Sequence, residues 1–491
     1  MERTAKIDSP AVTLRFDQAS PILEHPLLAR GDRPGGPISR VVGLYQSLLR
    51  RTLEHFFPDT LLEIQGDRSL IDWDGSPDEL TFRIVDGDDG LGLDVDWLGT
   101  RLTFRPQSPV PLLPLERGLV DSIVRALDLR FRGLFDQEIV DRLERFQYLM
   151  EDLIIADFLH PVGPYRIPAA LEALRVAALS TYENRRVATG ALLLGTDHDP
   201  ALPGRTNTEG APRFNARLTA IKGFHRLCDG VQTVFLVDRQ GSLFRMVDIA
   251  RWAEDVHASA PLEHPCPRPY VGHARATKSG GHVCLVLTPN QEIKVFAGGT
   301  MFFSLSNARW RLLDIPSKFA AWREAVGYTS PCDLALRLFQ AALNLSEART
   351  GALLVVVRDP HRAIKELIAP GDRMTEEVAA DDPQDPENLS PRLAKRALHH
   401  AVRGATLCEL EPAVLESIAS LDGAVVFDPI GRLLTFGAIL RIAPETLEYM
   451  RSVQGARTLA ALAASQYGPV LKVSEDGYLT MFLKGRRVWD L

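Results

Sequence analysis

The sequence predicts an α/β protein in which a small α+β region precedes two copies of one α/β unit. Three patterns carry that prediction. Apolar residues recur at helical spacing over residues 38–57 and 117–158 but alternate with polar ones in the stretch between, residues 60–105. A helix pattern followed by the run Thr-Gly-Ala-Leu-Leu occurs twice, within residues 174–200 and within residues 336–360. A strand, an Asp-x-x-Gly turn and a second strand also occur twice, at residues 234–249 and 424–439.

Composition bounds what such a chain does. A length of 491 residues implies two to four domains, and a hydrophobic content of 45% supplies more than one core. The formal net charge of -7 disfavours broad binding to nucleic acid or to an anionic membrane but leaves room for a local basic pocket. The five cysteines (Cys228, Cys266, Cys284, Cys332, Cys408) are scattered, odd in number and form no CxxC, which predicts free thiols in a reducing compartment. Residues 1–30 show no signal-peptide core, and no apolar run approaches the roughly 20 residues of a spanning helix. The expectation is a cytoplasmic protein with no membrane partner.

The elements follow in order. Residues 1–37, rich in Pro, Gly and charge, are expected to be poorly ordered. Residues 38–158 form the expected α+β domain. It opens with an amphipathic helix. Leu80, Phe82 and Ile84, then Leu91, Leu93 and Val95, alternate with polar residues across the turn sequence DGDDG at residues 86–90, which predicts a hairpin. One long helix or a helical pair covers residues 117–158.

The repeat places the rest. Thr189 to Leu193 matches Thr350 to Leu354 residue for residue, and Asp238 and Gly241 match Asp428 and Gly431. Residues 273–276 (HARA) stand where residues 455–458 (GART) are expected, and residues 284–296 parallel residues 470–482 as strand, turn, strand. The two copies are therefore assigned to residues 165–310 and 325–491, with the acidic, Pro-rich residues 381–391 as an insertion in the second.

Chemistry-bearing residues concentrate in the second copy. They are Asp422, Gly423 and Ala424 leading into a strand, then Gly455, Arg457 and Thr458 opening a helix-forming run, then Ser474 and Glu475 before Asp476-Gly477. Taken singly, each has a plain structural reading: a turn, a surface ion pair, a type I′ hairpin. Elsewhere the signals are weak. His257, His264, Cys266, His273, His282 and Cys284 show no zinc spacing, and neither a P-loop nor a GxGxxG occurs.

In this order, acid-Gly-Ala, Gly-x-Arg and Val-Ser-Glu resemble the nucleotide site of diadenylate cyclase (DAC) domains. The resemblance covers residues 325–491 and, weakly, 165–310. It implies tandem DAC-like units, each with a mixed central sheet flanked by helices. It also implies that Asp422 and Glu475 hold Mg²⁺ or Mn²⁺ if the chain is catalytic, with Asp422 as the catalytic carboxylate beside a ribose hydroxyl. Gly423 and Ala424 would admit adenine and ribose. Gly455, Arg457, Thr458 and Ser474 would line the nucleotide, with Arg457 on phosphate at a helix N-terminus. Family enzymes pair two domains face to face; a tandem pair imitates this within one chain, and a homodimer through the DAC-like faces is the other route.

The departures matter as much. The family pattern Gly-Thr-Arg-His-Arg reads Gly-Ala-Arg-Thr-Leu here, so Thr458 replaces the His and Leu459 the second Arg. Cations positioned on phosphate matter most in the transition state, and losing two should cost several kcal/mol of barrier. The leading expectation is accordingly a DAC-like sensor of the kind proposed for bacterial signalling systems, binding ATP or a cyclic (di)nucleotide without a metal cofactor. The alternatives are an active cyclase making cyclic di-AMP from two ATP, and a scaffold that binds nothing. In the first copy Gln232, Thr233 and Val234 stand opposite Asp422, Gly423 and Ala424, Arg275 is the expected counterpart of Arg457, and Thr288-Pro289 stand for Ser474-Glu475, so no metal site is expected there. No helix-hairpin-helix pattern follows the second copy, and no DNA partner is expected.

Overall fold

The computed structural model describes residues 37–58, 60–67, 82–87, 90–106, 112–134, 146–159, 166–182, 184–196, 199–202, 210–220, 223–257, 261–327, 333–374, 399–400, 402, 404–442 and 455–491. The expected disordered segment up to residue 36, Leu80 and the insertion at 381–391 lie outside them. The chain forms two compact units: residues 1–247 with 283–295 and 303–312, and residues 248–282 with 296–302 and 313–491.

The first unit begins with α1 (Pro37–Phe56), whose buried Val42, Tyr45, Leu49, Leu53 and Phe56 fall on one face. An antiparallel sheet follows, built of β1 (Thr60–Asp67), β2 (Arg83–Asp86), β3 (Leu93–Trp97) and β4 (Thr100–Pro106) in the order β1-β4-β3-β2. Leu93, Val95 and Trp97 are buried while Asp94 and Asp96 are not, so the alternation in the sequence is the alternation of the sheet's two faces. Residues 117–158 contain a helical pair, α2 (Pro114–Gly133) and α3 (Met150–Leu159). Then come α4 (Arg166–Ala178) and the short pair β5 (Thr181–Tyr182) and β6 (Arg185–Arg186).

Two larger sheets carry the rest, and they share one topology. The strands of the first are β7 (Thr189–Leu193), β8 (Thr233–Val237), β9 (Leu243–Asp248), β10 (Val283–Leu287), β11 (Ile293–Ala297), β12 (Thr300–Ser306) and β13 (Arg309–Leu312), in the order β13-β12-β11-β10-β7-β8-β9. Those of the second are β14 (Ala352–Val356), β15 (Ala424–Phe427), β16 (Leu433–Ala438), β17 (Val470–Val473), β18 (Leu479–Leu483) and β19 (Arg486–Asp490), in the order β16-β15-β14-β17-β18-β19. In each the first strand of the set is central, parallel to the second (β7 to β8, β14 to β15) and antiparallel to the fourth (β7 to β10, β14 to β17). The first sheet adds one edge strand, β13. Both sheets are mixed and carry helices, as the predicted α/β class requires.

The Asp-x-x-Gly turns are alike down to single hydrogen bonds. Asp238 Oδ1 accepts from the backbone N–H of Gln240 (3.0 Å) and Ser242 (2.7 Å); Asp428 Oδ1 accepts from that of Ile430 (3.1 Å) and Arg432 (2.8 Å). Gly241 and Gly431 close the turns at φ 84° and 86°. The strand register nevertheless differs from the sequence match. Leu193 pairs with Val237 and Val356 with Phe427, each the residue before the turn aspartate. Leu193 is thus the counterpart of Val356, not of Leu354. The matched Thr-Gly-Ala-Leu-Leu runs are displaced by two residues, a slip that keeps every side chain on its own face of the sheet.

The helices of the second unit are α5 (Ile249–His257), α6 (Val271–Ala276), α7 (Ile315–Val326), α8 (Leu334–Glu347), α9 (Pro360–Glu366), α10 (Pro412–Ala419) and α11 (Ala456–Ala464). Ala461 and Ala464 of α11 pack into one core with Leu353, Val355, Ala424, Val426, Val470 and Phe482. Small residues on that face let the helix lie close to the sheet, which holds its first turn beside the ends of β14, β15 and β17. Among the described residues no helix is long and apolar enough to cross a membrane. Cys228, Cys266 and Cys284 are buried free thiols, but Cys408 is disulfide-bonded, which corrects the expectation of free thiols throughout. Spacing along the chain does not report which Cβ atoms come within bonding reach.

Asp238→Ala and Asp428→Ala should act alike. Each leaves two inward-facing N–H groups without an acceptor and should destabilise its unit by roughly 2–3 kcal/mol, with Asn costing less. Urea unfolding of the four variants checks this.

Candidate functional site

The three loops singled out in the second copy meet in the structure. Asp422 and Gly423 form the bend entering β15, Arg457 is the second residue of α11, and Glu475 lies in the turn between β17 and β18. Arg457 Nη2 stands 3.9 Å from Asp422 Oδ1, and Nη1 stands 3.4 Å from Glu475 Oε1. Residues 35 and 18 positions from Arg457 thereby face one guanidinium. Both carboxylates are exposed, at 106% and 76% of the side-chain reference, and Arg457 is about one-third exposed at 32%. Exposed ion pairs of this length stabilise little, so the arrangement reads as a set of displaceable polar groups rather than as a brace.

Beneath the guanidinium lies bare backbone. A Cβ on Gly351, at the entry to β14, would sit 2.2 Å from Arg457 Nη1 and 2.7 Å from its Cζ. Glycine at 351 leaves room for the Nη1 end of the guanidinium to come against the main chain. Gly455, the N-cap of α11, has φ 96° and offers no side-chain cap. Among the described residues no side chain caps the first turn of α11, and the favourable end of the helix dipole lies there.

The remaining predicted residues have more structural work than the sequence suggested. Gly423 has φ 113°, and a Cβ on it would lie 2.4 Å from Gly437 C, so two backbones cross there and only glycine fits. Ala424 is fully buried in the core, so its methyl is not a surface on which a ligand rests. The Ser474 hydroxyl accepts from the Tyr478 N–H at 3.1 Å and pins its own turn. That turn is not the expected type I′. Gly477 N–H bonds to Ser474 O at 3.0 Å, and positive φ falls on Gly477 (84°) rather than on Glu475 or Asp476. The glycine takes the left-handed position after the two central residues, which leaves Glu475 at the tip with its carboxylate towards Arg457.

Lys472 was missed in the sequence because it sits inside a strand pattern. Its Nζ donates to Thr458 Oγ1 at 3.0 Å, so a half-buried ammonium reaches the helix turn that carries Arg457. Burial lowers its pKa below the usual lysine value; Asp490 opposes this, and Arg487 and Arg457 add to it. A cation in a strand whose neighbours are buried apolar residues was the available signal.

Among the described residues, the matching positions of the expected first copy hold no such cluster. Arg275 lies in the last turn of α6, whereas Arg457 opens α11, so Arg275 is not its counterpart; the short helix ends where the long one continues. Thr288 does match Ser474 in its turn bonds, with Thr288 N–H to Glu292 O at 2.8 Å and Gln291 N–H to Thr288 O at 2.9 Å, but Thr288 is buried. His399 is buried and bonds through Nε2 to Phe436 O at 3.0 Å, an anchor and not a ligand position.

Among the described residues, no group of three or more His, Cys, Asp or Glu side chains could hold a metal ion. Asp422 and Glu475 supply two carboxylates, and the guanidinium between them competes with a divalent ion for the same oxygens. Two carboxylates alone do not complete the octahedron of Mg²⁺ or Mn²⁺, which would need water or ligand phosphate oxygens as well.

Comparison with known proteins gives little beyond this geometry. No family model and no curated protein matches the chain. Among solved structures, a hypothetical membrane spanning protein from Bacillus cereus aligns at 24% identity over 30% of this chain and 59% of its own, with a TM-score of 0.19. A double mutant of DacA from Staphylococcus aureus, a diadenylate cyclase, aligns at 19% identity over 32% of this chain and 86% of its own, with a TM-score of 0.18. Similarity at these scores decides neither fold nor function.

Lys472 yields a pH signature. Its folded-state pKa is lowered, so the folded chain binds fewer protons there than the unfolded chain between the two pKa values. Stability rises with pH across that window. Relative to Lys472→Met, the wild type should gain stability as pH rises through the lowered pKa towards the ordinary lysine value. Thermal unfolding at stepped alkaline pH checks the sign.

Proposed function

We propose that this chain is a DAC-like sensor that binds a nucleotide or cyclic (di)nucleotide at the Asp422, Arg457 and Glu475 cluster, without turning it over. The observation that carries the reading is Arg457. It opens α11, lies over Gly351, and faces acidic loops from two other parts of the chain. A phosphate entering there would meet a guanidinium and the N–H groups of an uncapped helix turn together. The order of motifs that resembles DAC domains supports the same ligand class. The tandem-unit assignment, residues 165–310 and 325–491, is part of this proposal, with the first copy as a structural partner.

Two features favour binding over catalysis. Thr458 and Leu459 occupy the places of the family's His and second Arg, so charge developing on a transferring phosphoryl group lacks two of its cations. The carboxylates that the family commits to metal are drawn instead towards Arg457.

Arg457→Ala should remove a charge-assisted contact worth roughly 1.5–3 kcal/mol and lower nucleotide affinity about ten- to a hundredfold. Calorimetric titration of both proteins checks this. Unchanged affinity for every nucleotide that binds would reject the site. Chromatography after incubation with ATP and Mn²⁺ tests the other half, since Asp422-dependent formation of cyclic di-AMP would replace the sensor by an enzyme.

A further inference from the structure

We propose that Lys472 is the second phosphate-gripping cation of this site, and that with Arg457 it selects a nucleoside phosphodiester over a nucleoside triphosphate. This rests on the nucleotide-binding reading and specifies its ligand.

The first argument is unused donor capacity. An ammonium carries three N–H donors. Lys472 directs one to Thr458 Oγ1 at 3.0 Å, and among the described residues it makes no other hydrogen bond and no ion pair within 4.0 Å. It is half-buried on β17, where stray water competes less than at the surface. A lysine held this way is placed by its strand and by Thr458, with two donors left for something that arrives. Its lowered pKa agrees: the charged form is under-compensated, and an anion would relieve it.

The second argument is charge balance. Three cations come together here, Arg457, Lys472 and Arg487, and three carboxylates, Asp422, Glu475 and Asp490. Arg487 is already paired with Asp490. With the exposed Asp476 beside Glu475 counted as well, the cluster carries no excess of positive charge before a ligand binds. A phosphodiester brings one negative charge per phosphate and can be met by Arg457 and Lys472, with the acidic loops yielding slightly. A triphosphate brings several more charges and ordinarily relies on a divalent ion, with which the Arg457 guanidinium competes for the same two carboxylates. Glu475 and Asp422 would then repel the outer phosphates. Acidic residues at the rim thus act against the wrong ligand while the two cations hold the right one.

Lys472 also accounts for a local substitution. Thr458 stands where the family has His, and its hydroxyl is the acceptor that orients the ammonium. One of the two cations missing from the helix is thereby resupplied from the neighbouring strand.

The test is a set of calorimetric titrations of the full chain. The probes are 3′,5′-cyclic AMP, cyclic di-AMP and ATP, each with and without Mg²⁺. The proteins are wild type, Lys472→Met, Lys472→Arg and Arg457→Ala, with thermal unfolding confirming that each folds. The proposal expects at least one phosphodiester to bind about tenfold or more tighter than ATP, with Mg²⁺ making little difference; the tighter of the two distinguishes a mononucleotide from a dinucleotide ligand. It expects Lys472→Met to lose about ten- to a hundredfold and Lys472→Arg to stay within about threefold of wild type. If Arg457→Ala weakens binding but Lys472→Met does not, the Lys472 assignment is overturned while the nucleotide site stands. ATP binding as tightly as either phosphodiester overturns the selectivity. Absence of binding by all three probes, or an Arg457→Ala protein that binds like wild type, overturns the nucleotide reading and this inference with it.

Discussion

The candidate site depends on one placement: the Arg457 guanidinium lying against the backbone at Gly351, between carboxylates from two loops. Everything around it serves that placement. Gly351 removes the side chain that would occupy the space. The alanine face of α11 lets the helix settle on the sheet so that its second residue reaches the end of β14. Gly423 allows the loop bearing Asp422 to cross the backbone of Gly437, and the turn closed at Gly477 carries Glu475 forward. None of these is strong alone. Together they leave a cation held weakly by exposed acids, which is the condition for an incoming anion to displace them.

The two larger sheets share a topology, but among the described residues the cluster around Arg457 is built only on the second. Both have the parallel central pair, the antiparallel fourth strand and the aspartate-pinned turn. These features set the sheet. They do not supply the cations, which in the second copy come from the first turn of a nine-residue helix and from the middle of β17. In the first copy the corresponding helix, α6, has six residues and its arginine lies at the far end. The fold is thus a frame on which the site is a local addition.

Much of this was legible in the sequence. The alternation of Leu93, Val95 and Trp97 marked the small antiparallel sheet, and the paired Asp-x-x-Gly turns marked equivalent hairpins, because both patterns follow directly from local geometry. Asp422, Arg457 and Glu475 were recognisable as a set because the order of their motifs resembles that of DAC domains. Four things were not. The two-residue slip between the repeats preserves inside and outside, so no pattern of apolar residues could reveal it. The position of Arg275 depends on helix length, which short apolar runs do not define. Lys472 is the one polar residue of an otherwise apolar, buried strand, and only the approach of α11 makes it part of a site. The disulfide at Cys408 was likewise beyond a reading of spacings.

The most direct test of the account is hydrogen exchange of the backbone amides with and without saturating cyclic di-AMP or ATP. The account predicts that nucleotide slows exchange in two separate places at once, residues 456–458 at the start of α11 and residues 475–477 in the turn bearing Glu475, and that Arg457→Ala abolishes both effects together. Protection confined to other parts of the chain, or protection at these residues that persists in Arg457→Ala, would contradict it.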